Sequence, residues 1–246
     1  MDLKIKDLAE LLSVSEKTIR RWLSEGKIPA YKLESQYRFS RIEIENWMMS
    51  CKLKQEPGSF TPYPQEEQIY PATDEGDEEA DPVRAGVQQF SLYRAVYRGG
   101  VFTHILGDTK EEIIKSTMKL IAPRLGLDSD VLSDLLLDRE RLMPTALNHG
   151  IGVPHTREFL IQGPFDMIFV VYPQKPIEYG ALDGEPVHTL FFLFASGDKR
   201  HLHLLAKLAH LSSKSPSLEI LRTKPSKEKL LEYLKEWETK VCCSKN

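Results

Sequence analysis

Cysteine is scarce in this sequence, and its few cysteines lack the spacing of a metal site or a disulfide framework. The 246 residues contain three, Cys51, Cys242 and Cys243, of which two are adjacent. Adjacent cysteines rarely bridge each other, and an odd number leaves one thiol over. We therefore expect free thiols in a reducing compartment, with no bound metal.

Long hydrophobic runs and nucleotide-binding loops are also missing. No apolar run approaches the ~20 residues needed to cross a bilayer, and the charged first ten residues do not resemble a secretory signal. The phosphate-cradling pattern GxxxxGK[ST] does not occur, which argues against an ATP-driven kinase of that class. These absences predict a cytoplasmic protein without membrane insertion, and we expect no cofactor.

A net charge of -3 conceals three segments of different character. Residues 1–54 carry 11 Lys+Arg and 8 Asp+Glu, giving +3; residues 55–89 carry 1 and 9, giving -8; residues 90–246 carry 21 and 19, giving +2. We predict domains at 1–54 and 90–246. The acidic, proline-rich segment between them is interpreted as a linker. The alternative is an acidic arm that competes with nucleic acid for the basic N-terminal segment.

Apolar residues in the N-terminal segment recur at helical spacing in three short bursts. These are Leu8, Leu11 and Leu12; Ile19, Trp22 and Leu23; and Ile44, Trp47 and Met48. The alternating stretch from Ala30 to Phe39 predicts a small hairpin, or wing. The fold expected here is a small, mainly α, winged helix-turn-helix.

The second predicted helix has one apolar face and one cationic face, as a DNA recognition helix requires. Its apolar residues share one face, which leaves Lys17, Arg20 and Arg21 on the other, able to reach phosphates and base edges. Arg38 on the wing could add a phosphate contact. A protein-binding module with a solvated charged face is the alternative.

The run from Ile5 to Met48 resembles the excisionase-like, MerR-related helix-turn-helix family. The matching positions are Ala9, Val14, Thr18, Ile19, Gly26, Pro29, Arg38, Phe39 and Trp47. The resemblance covers about residues 3 to 50 and implies DNA contacts by Lys17, Thr18, Arg20, Arg21 and Arg38. The wing departs from the family, because Leu33-Glu34-Ser35-Gln36 replaces the usual small glycine turn. A module this small implies a homodimer or paired sites.

Beyond residue 89 the pattern becomes that of an α/β domain. Helices are predicted at 110–125, 130–138, 200–211 and 226–238. The nearly continuous apolar runs at 167–172 and 189–195 predict strands buried on both faces. We expect a parallel or mixed sheet covered by helices.

The stretch from Asp138 to Glu158 contains the residues with the clearest chemistry. Gly150, Gly152 and Pro154 present His155 on a tight loop, with several arginines nearby in sequence. A neutral imidazole is a competent nucleophile toward a phosphoryl group, and positive charge stabilises the transfer. A histidine beside such a loop is by itself weak support for catalysis.

GIGVPH at Gly150 to His155 resembles the phosphorylation site of the fructose/mannitol-type enzyme IIA domain of the phosphoenolpyruvate-dependent phosphotransferase system, including its nitrogen-regulatory branch. The pair Arg139-Glu140 and the segments 176–195 and 201–209 follow in the family's order. The resemblance implies that His155 is a tele-phosphohistidine acceptor, phosphorylated on Nε2 by HPr or its nitrogen-branch paralogue. It also implies that Arg139 stabilises the phosphate and that His201 is the second active-site histidine.

The loop after the Arg139-Glu140 pair, residues 142–147, differs from the small Gly-Ser-Thr-Gly run common in the family. His203 diverges from His201 by about 200° on a helix, and we expect it at the surface or in packing. The predicted function is a regulatory phosphocarrier that couples phosphorylation to DNA binding, rather than a free-standing turnover enzyme. The alternatives are a IIA component that serves a separate sugar transporter and an adaptor whose His155 is silent.

Overall fold

The structure is a computed structural model that describes residues 2–12, 14–33, 36–51, 90–156, 158–161 and 163–243. The predicted acidic segment at 55–89, the middle of the predicted wing and Arg157 lie outside these residues. No helix within the described ranges is long and apolar enough to cross a membrane.

The N-terminal unit, called the head below, is a helix-turn-helix with a short wing. Its helices are α1 (Ile5–Leu12), α2 (Glu16–Ser24) and α3 (Arg41–Cys51). The strands β1 (Asp2–Leu3), β2 (Tyr31–Leu33) and β3 (Gln36–Ser40) form an antiparallel sheet in the order β1-β3-β2. The predicted small winged fold is therefore confirmed, with β1 as an addition.

Local signals explain how the head's helices begin and end. Ser15 caps α2, since its side chain accepts a hydrogen bond from the Thr18 amide. Gly26, just after α2, has a φ of +64, which glycine tolerates and other residues avoid. Trp22 packs against Trp47 at 5.8 Å between ring centroids, so α2 is anchored on α3.

The C-terminal unit is a mixed sheet covered by helices. Its helices are α4 (Ser91–Gly99), α5 (Lys110–Leu125), α6 (Ser129–Leu142), α7 (Asp198–Leu211), α8 (Ser215–Arg222) and α9 (Lys227–Cys243). Its strands are β4 (Gly100–Ile105), β5 (Ala146–Leu147), β6 (Ile151–Gly152), β7 (Met167–Pro173) and β8 (Thr189–Phe194). They follow the order β4-β7-β8-β6-β5.

Strand direction explains why the sheet is mixed. Strand β4 is parallel to β7 and β6 is parallel to β8, whereas β7 and β8 at the centre are antiparallel. Every residue of β8 is buried, as its unbroken apolar run predicts. The α/β prediction is confirmed, but β4, β5, β6, α4 and α8 are additions that the sequence analysis did not include.

The head is docked on the C-terminal unit. Helices α1 and α3 make the principal contacts, both with α7. Salt bridges join Arg41 to Asp198 at 2.8 Å and Lys199 to Asp7 at 3.0 Å, and the Arg41 guanidinium lies 4.7 Å from the centre of the Phe159 ring. The docked face of the C-terminal unit is the one that contains His155.

Candidate phosphoryl-acceptor site

His155 lies where the β6 strand direction continues past its end. It forms an isolated parallel bridge with Leu193 of β8, and the Leu193 amide donates to the Pro154 carbonyl at 2.9 Å. Gly150 makes the preceding turn possible: its φ is +75, and a Cβ there would lie 2.5 Å from the His188 ring. The turn and the strand together fix the backbone that presents the imidazole.

The two nitrogens of His155 have different partners. Nδ1 lies 2.7 Å from the Val153 carbonyl oxygen, which can only accept, so Nδ1 carries a proton and donates it. Nε2 points away from the loop toward α3 and α7. The prediction of a tele-phosphohistidine concerns this nitrogen, Nε2, and stays a prediction.

The Arg139-Glu140 pair at the end of α6 organises the loop that follows. Arg139 Nη1 donates to the Met143 carbonyl at 3.0 Å, and the Glu140 carboxylate accepts from the Thr145 amide and hydroxyl at 2.9 and 2.6 Å. Burial raises the pKa of Glu140, although the two Thr145 hydrogen bonds oppose that shift. The chain thus stabilises its unusual 142–147 loop through Glu140, which sequence reasoning recognised only as part of a motif.

His201 projects from the first turn of α7 beside His155. The ring centroids are 5.1 Å apart in an edge-on arrangement. Burial lowers the pKa of His201 to about 4, and the nearby positive charge of His155 acts in the same direction, while Glu45 opposes both. His201 is therefore neutral near pH 7, and its buried Nε2 has no hydrogen-bond partner.

A residue from the head completes this site. Glu45, on α3, places Oε1 2.8 Å from His155 Nε2, and the same oxygen accepts from Arg139 Nη2 at 2.7 Å and Nε at 3.2 Å. Its Oε2 lies 3.6 Å from His201 Nε2, longer than a hydrogen bond. The structure thus brings the three predicted residues, His155, Arg139 and His201, together around a carboxylate that sequence analysis missed.

The charges of the cluster can be assigned from its geometry. Burial opposes ionisation of Glu45, but the hydrogen bond from His155 and the positive charge around the carboxylate outweigh it and hold the pKa of Glu45 well below its usual range. An ionised Glu45 accepts hydrogen bonds and donates none. Because both nitrogens of His155 face acceptors, the docked arrangement requires a doubly protonated, cationic His155.

The cluster also has the composition of a metal site. Glu45, His155 and His201 each offer one ligand atom, all within 4.8 Å of one another. Arg139, however, donates two hydrogen bonds to the same carboxylate oxygen. A divalent cation would have to displace or adjoin that guanidinium, so the geometry suits an anion better than a metal ion.

The residues predicted to contact DNA lie on the head. Lys17, Arg20 and Arg21 are exposed on α2, and Thr18 is half-buried with its hydroxyl 2.9 Å from that of Ser15. Arg38, on β3, donates to the Gln36 side chain at 2.8 Å. The three cations of α2 remain accessible while α1 and α3 cover the His155 site.

The remaining histidines lie apart from the cluster. His203 Nε2 is 3.1 Å from the Ser91 hydroxyl, so this side chain packs α7 against α4, in line with the expected packing role. His104 is exposed, His188 contacts the Thr189 hydroxyl, and His210 packs edge-on against Trp237. His149 is half-buried in the turn beside Gly150, with its backbone amide bonded to Asp183.

The fold and the site therefore define an α/β domain with a buried histidine cluster, joined to a helix-turn-helix. Comparison with protein families makes this specific. Residues 98–237, more than half of the chain, match the family "Phosphoenolpyruvate-dependent sugar phosphotransferase system, EIIA 2", and residues 3–52 match a helix-turn-helix domain. The chain belongs to the EIIA 2 family and carries a helix-turn-helix domain ahead of it.

Individual relatives match the C-terminal unit. A nitrogen regulatory protein of Pseudomonas aeruginosa is 29% identical over 139 residues, 55% of this chain and 89% of that protein. One from Klebsiella oxytoca is 31% identical over 131 residues, 52% of this chain and 80% of that protein. The crystal structure of nitrogen regulatory protein IIA-Ntr from Neisseria meningitidis superposes with a TM-score of 0.51 at 24% identity, covering 56% of this chain and 94% of that one, which shows a shared fold.

Proposed function

We propose that this chain is a regulatory phosphocarrier whose His155 accepts a phosphoryl group from phospho-HPr or its nitrogen-branch paralogue. The observation that carries the proposal is the geometry of His155. Its Nδ1 is held by the Val153 carbonyl, so Nε2 faces the pocket where Glu45 Oε1 also accepts from the Arg139 guanidinium, beside the unpartnered Nε2 of His201. These groups are suited to hold the oxygens of a phosphoryl group on Nε2.

The proposed reaction is a transfer between two histidines. The lone pair of neutral His155 Nε2 attacks phosphorus, an N–P bond forms, and the bond from phosphorus to the donor's histidine nitrogen breaks with its electron pair returning to the donor. Arg139 offsets the charge of the equatorial oxygens, and His201 contacts one of them. His155 returns to its starting state when an acceptor removes the group, so the protein carries phosphate rather than turning over a substrate by itself.

The head supports the second part of the proposal, a role in transcription. The exposed cations of α2 are suited to phosphate and base contacts, and we expect two copies to bind paired sites because one head covers little DNA. Relatives of the C-terminal unit are nitrogen regulatory proteins. We propose that the regulator is cytoplasmic, because DNA and a phosphocarrier protein are both accessible in the cytoplasm.

A sugar-transport role is the second candidate, because one relative is the "PTS system fructose-specific EIIA component" of Haloferax volcanii, 28% identical over 131 residues. In that case phospho-His155 would pass its group to a transporter component. The fused head favours the regulatory role.

Phosphorylation is tested by incubating the full chain with labelled phosphoenolpyruvate, enzyme I and HPr. We expect an acid-labile label on His155 that is absent from His155→Ala and retained by His104→Ala, in which an exposed histidine is removed. Label retained by His155→Ala would reject this acceptor. No label on the wild type would favour an adaptor with a silent His155.

DNA binding is tested separately by measuring affinity against salt concentration. We expect a steep fall with salt, and loss of binding when Arg20 and Arg21 are both replaced by Ala. Binding that ignores salt and survives both substitutions would contradict a role for α2.

A further inference from the structure

The face of the C-terminal unit that must meet a phosphoryl donor is occupied by the chain's own head. The side chains of His155, Arg139, His201 and Glu45 are each at most 2% exposed. A phosphorylated carrier protein cannot reach a nucleophile that is this deeply covered. Docking of the head and approach of a donor therefore require the same space.

Glu45 also uses the groups that a phosphoryl group needs. Its Oε1 lies 2.8 Å from His155 Nε2, where phosphorus would be bonded, and it accepts twice from Arg139, the donor that would hold the phosphoryl oxygens. A carboxylate and a phosphoryl group are both anions with clustered acceptor oxygens. The anion-binding pocket is thus filled from within by a residue of the head.

Docking further removes the reactivity of His155. The docked His155 donates from both nitrogens, to the Val153 carbonyl and to Glu45, so no lone pair remains on the ring to attack phosphorus. Release of Glu45 leaves Nε2 without this partner and open to a phosphoryl donor. The head therefore blocks the site by coverage and by protonation together.

We propose that Glu45 is an internal competitor for the phosphoryl pocket, so that head docking and phosphorylation of His155 exclude each other. This inference rests on the proposed function of His155. In the unphosphorylated chain the docked head slows transfer, because only the released fraction can react. Once His155 is phosphorylated, its negative oxygens occupy the place of Glu45 and repel it, so the head stays released.

Other contacts of the docked head allow the equilibrium between docked and released head to be changed without altering Glu45. Arg41 bonds Asp198 and covers Phe159, outside the hydrogen bonds to His155. Reversing its charge with Arg41→Glu should release the head while leaving His155, Arg139 and Glu45 chemically intact. Glu43, exposed on the same helix, provides a matched control for Glu45→Gln, since Glu43→Gln also removes one negative charge from α3 without touching the pocket.

The experiment measures two quantities on the full chain: the rate of label uptake by His155, and the tumbling of the head. Two of the three tryptophans, Trp22 and Trp47, lie in the head and Trp237 lies in α9, so ¹⁵N relaxation of their indole N–H groups reports whether the units tumble together. We expect Glu45→Ala, Glu45→Gln and Arg41→Glu to accept label faster than the wild type, by roughly tenfold or more if under a tenth of heads are released. Glu43→Gln should match the wild type.

Phosphorylated wild type should show Trp22 and Trp47 tumbling independently of Trp237. Equal uptake rates in the wild type and in all three variants, with a head that remains docked after phosphorylation, would overturn the proposed competition and leave the phosphocarrier function standing. No label on any chain, Glu45→Ala included, would instead reject the phosphocarrier function itself. Indole chemical shifts in each variant verify that the head is folded. If the Glu45 variants do not fold, Arg41→Glu still tests the proposal.

Discussion

Arg139 and Glu45 form a buried ion pair between the two units, and breaking it from one side should be far more damaging than removing both partners. Both side chains are 2% exposed, and two hydrogen bonds join them. Removing one partner of such a pair typically costs about 3–5 kcal/mol, because the other charge remains buried without compensation. Arg139→Met should therefore remove about that much from the free energy of docking.

The structure also sets an upper limit on the free energy of unfolding that Arg139→Met can remove. Glu45 can escape into water by release of the head, so unfolding free energy should fall only until docking is lost. In the Arg139→Met protein we thus expect free tumbling of Trp22 and Trp47, and separate unfolding transitions for the two units in urea. Arg141→Met is the matched control, because this neighbouring arginine is exposed and paired with Asp138.

A double-mutant cycle completes the measurement. Adding Glu45→Gln to Arg139→Met should recover part of the loss, since a neutral amide is cheaper to bury than an unpaired carboxylate. We expect a coupling free energy of about 1–3 kcal/mol from urea unfolding of the four chains. Additive effects within about 0.5 kcal/mol, with a docked head in Arg139→Met, would refute the ion-pair reasoning.

Three further predictions concern other parts of the molecule. Gly150→Ala should destabilise the turn that precedes His155, since its new Cβ would meet the His188 ring at 2.5 Å with a φ of +75; thermal unfolding should occur at lower temperature, and an unchanged midpoint would contradict this. His201 has a pKa of about 4 in the folded protein against 6.5 in the unfolded chain, so the native state binds fewer protons between those pH values. The free energy of unfolding should therefore fall by at most about 3 kcal/mol as the pH drops from 6.5 to 4. His201→Asn should reduce this pH dependence in urea titrations. Ser15→Ala should cost about 1 kcal/mol of head stability through loss of the α2 cap, and an unchanged urea midpoint for the head would contradict it.

Local patterns predicted the elements whose signals are contained within a few residues. The apolar runs of β7 and β8 and the predicted helices α5 and α7 lie where expected. The pairs β5 and β6 were not predicted because two residues each are too short for periodicity. The position of β6 depends on pairing with the distant strand β8, and β5 pairs in turn with β6.

The site divides in the same way. His155, Arg139 and His201 were predicted through motif resemblance, and the structure brings them together, but Glu45 is 110 residues away from His155 and belongs to another unit. On α3 it follows Ile44 and precedes the apolar Trp47 and Met48, so a helical projection places it at the border of the buried stripe. A carboxylate at that border is usually solvated, and only the docked arrangement shows that it is buried.

The docked head leaves the exposed cations of α2 uncovered, which constrains how phosphorylation could influence transcription. Steric masking of the proposed DNA-contacting residues by the C-terminal unit does not follow from this arrangement, because α1 and α3 make the contacts with α7. Thermodynamic linkage is reciprocal: the factor by which phosphorylation of His155 changes the affinity for DNA equals the factor by which DNA changes the equilibrium of phosphorylation. For a chain that binds paired sites, the factor that differs between the two states is the distance and orientation that the C-terminal units allow between two heads. Phosphorylation would therefore act on the pairing of heads along DNA more than on the affinity of one head for one site.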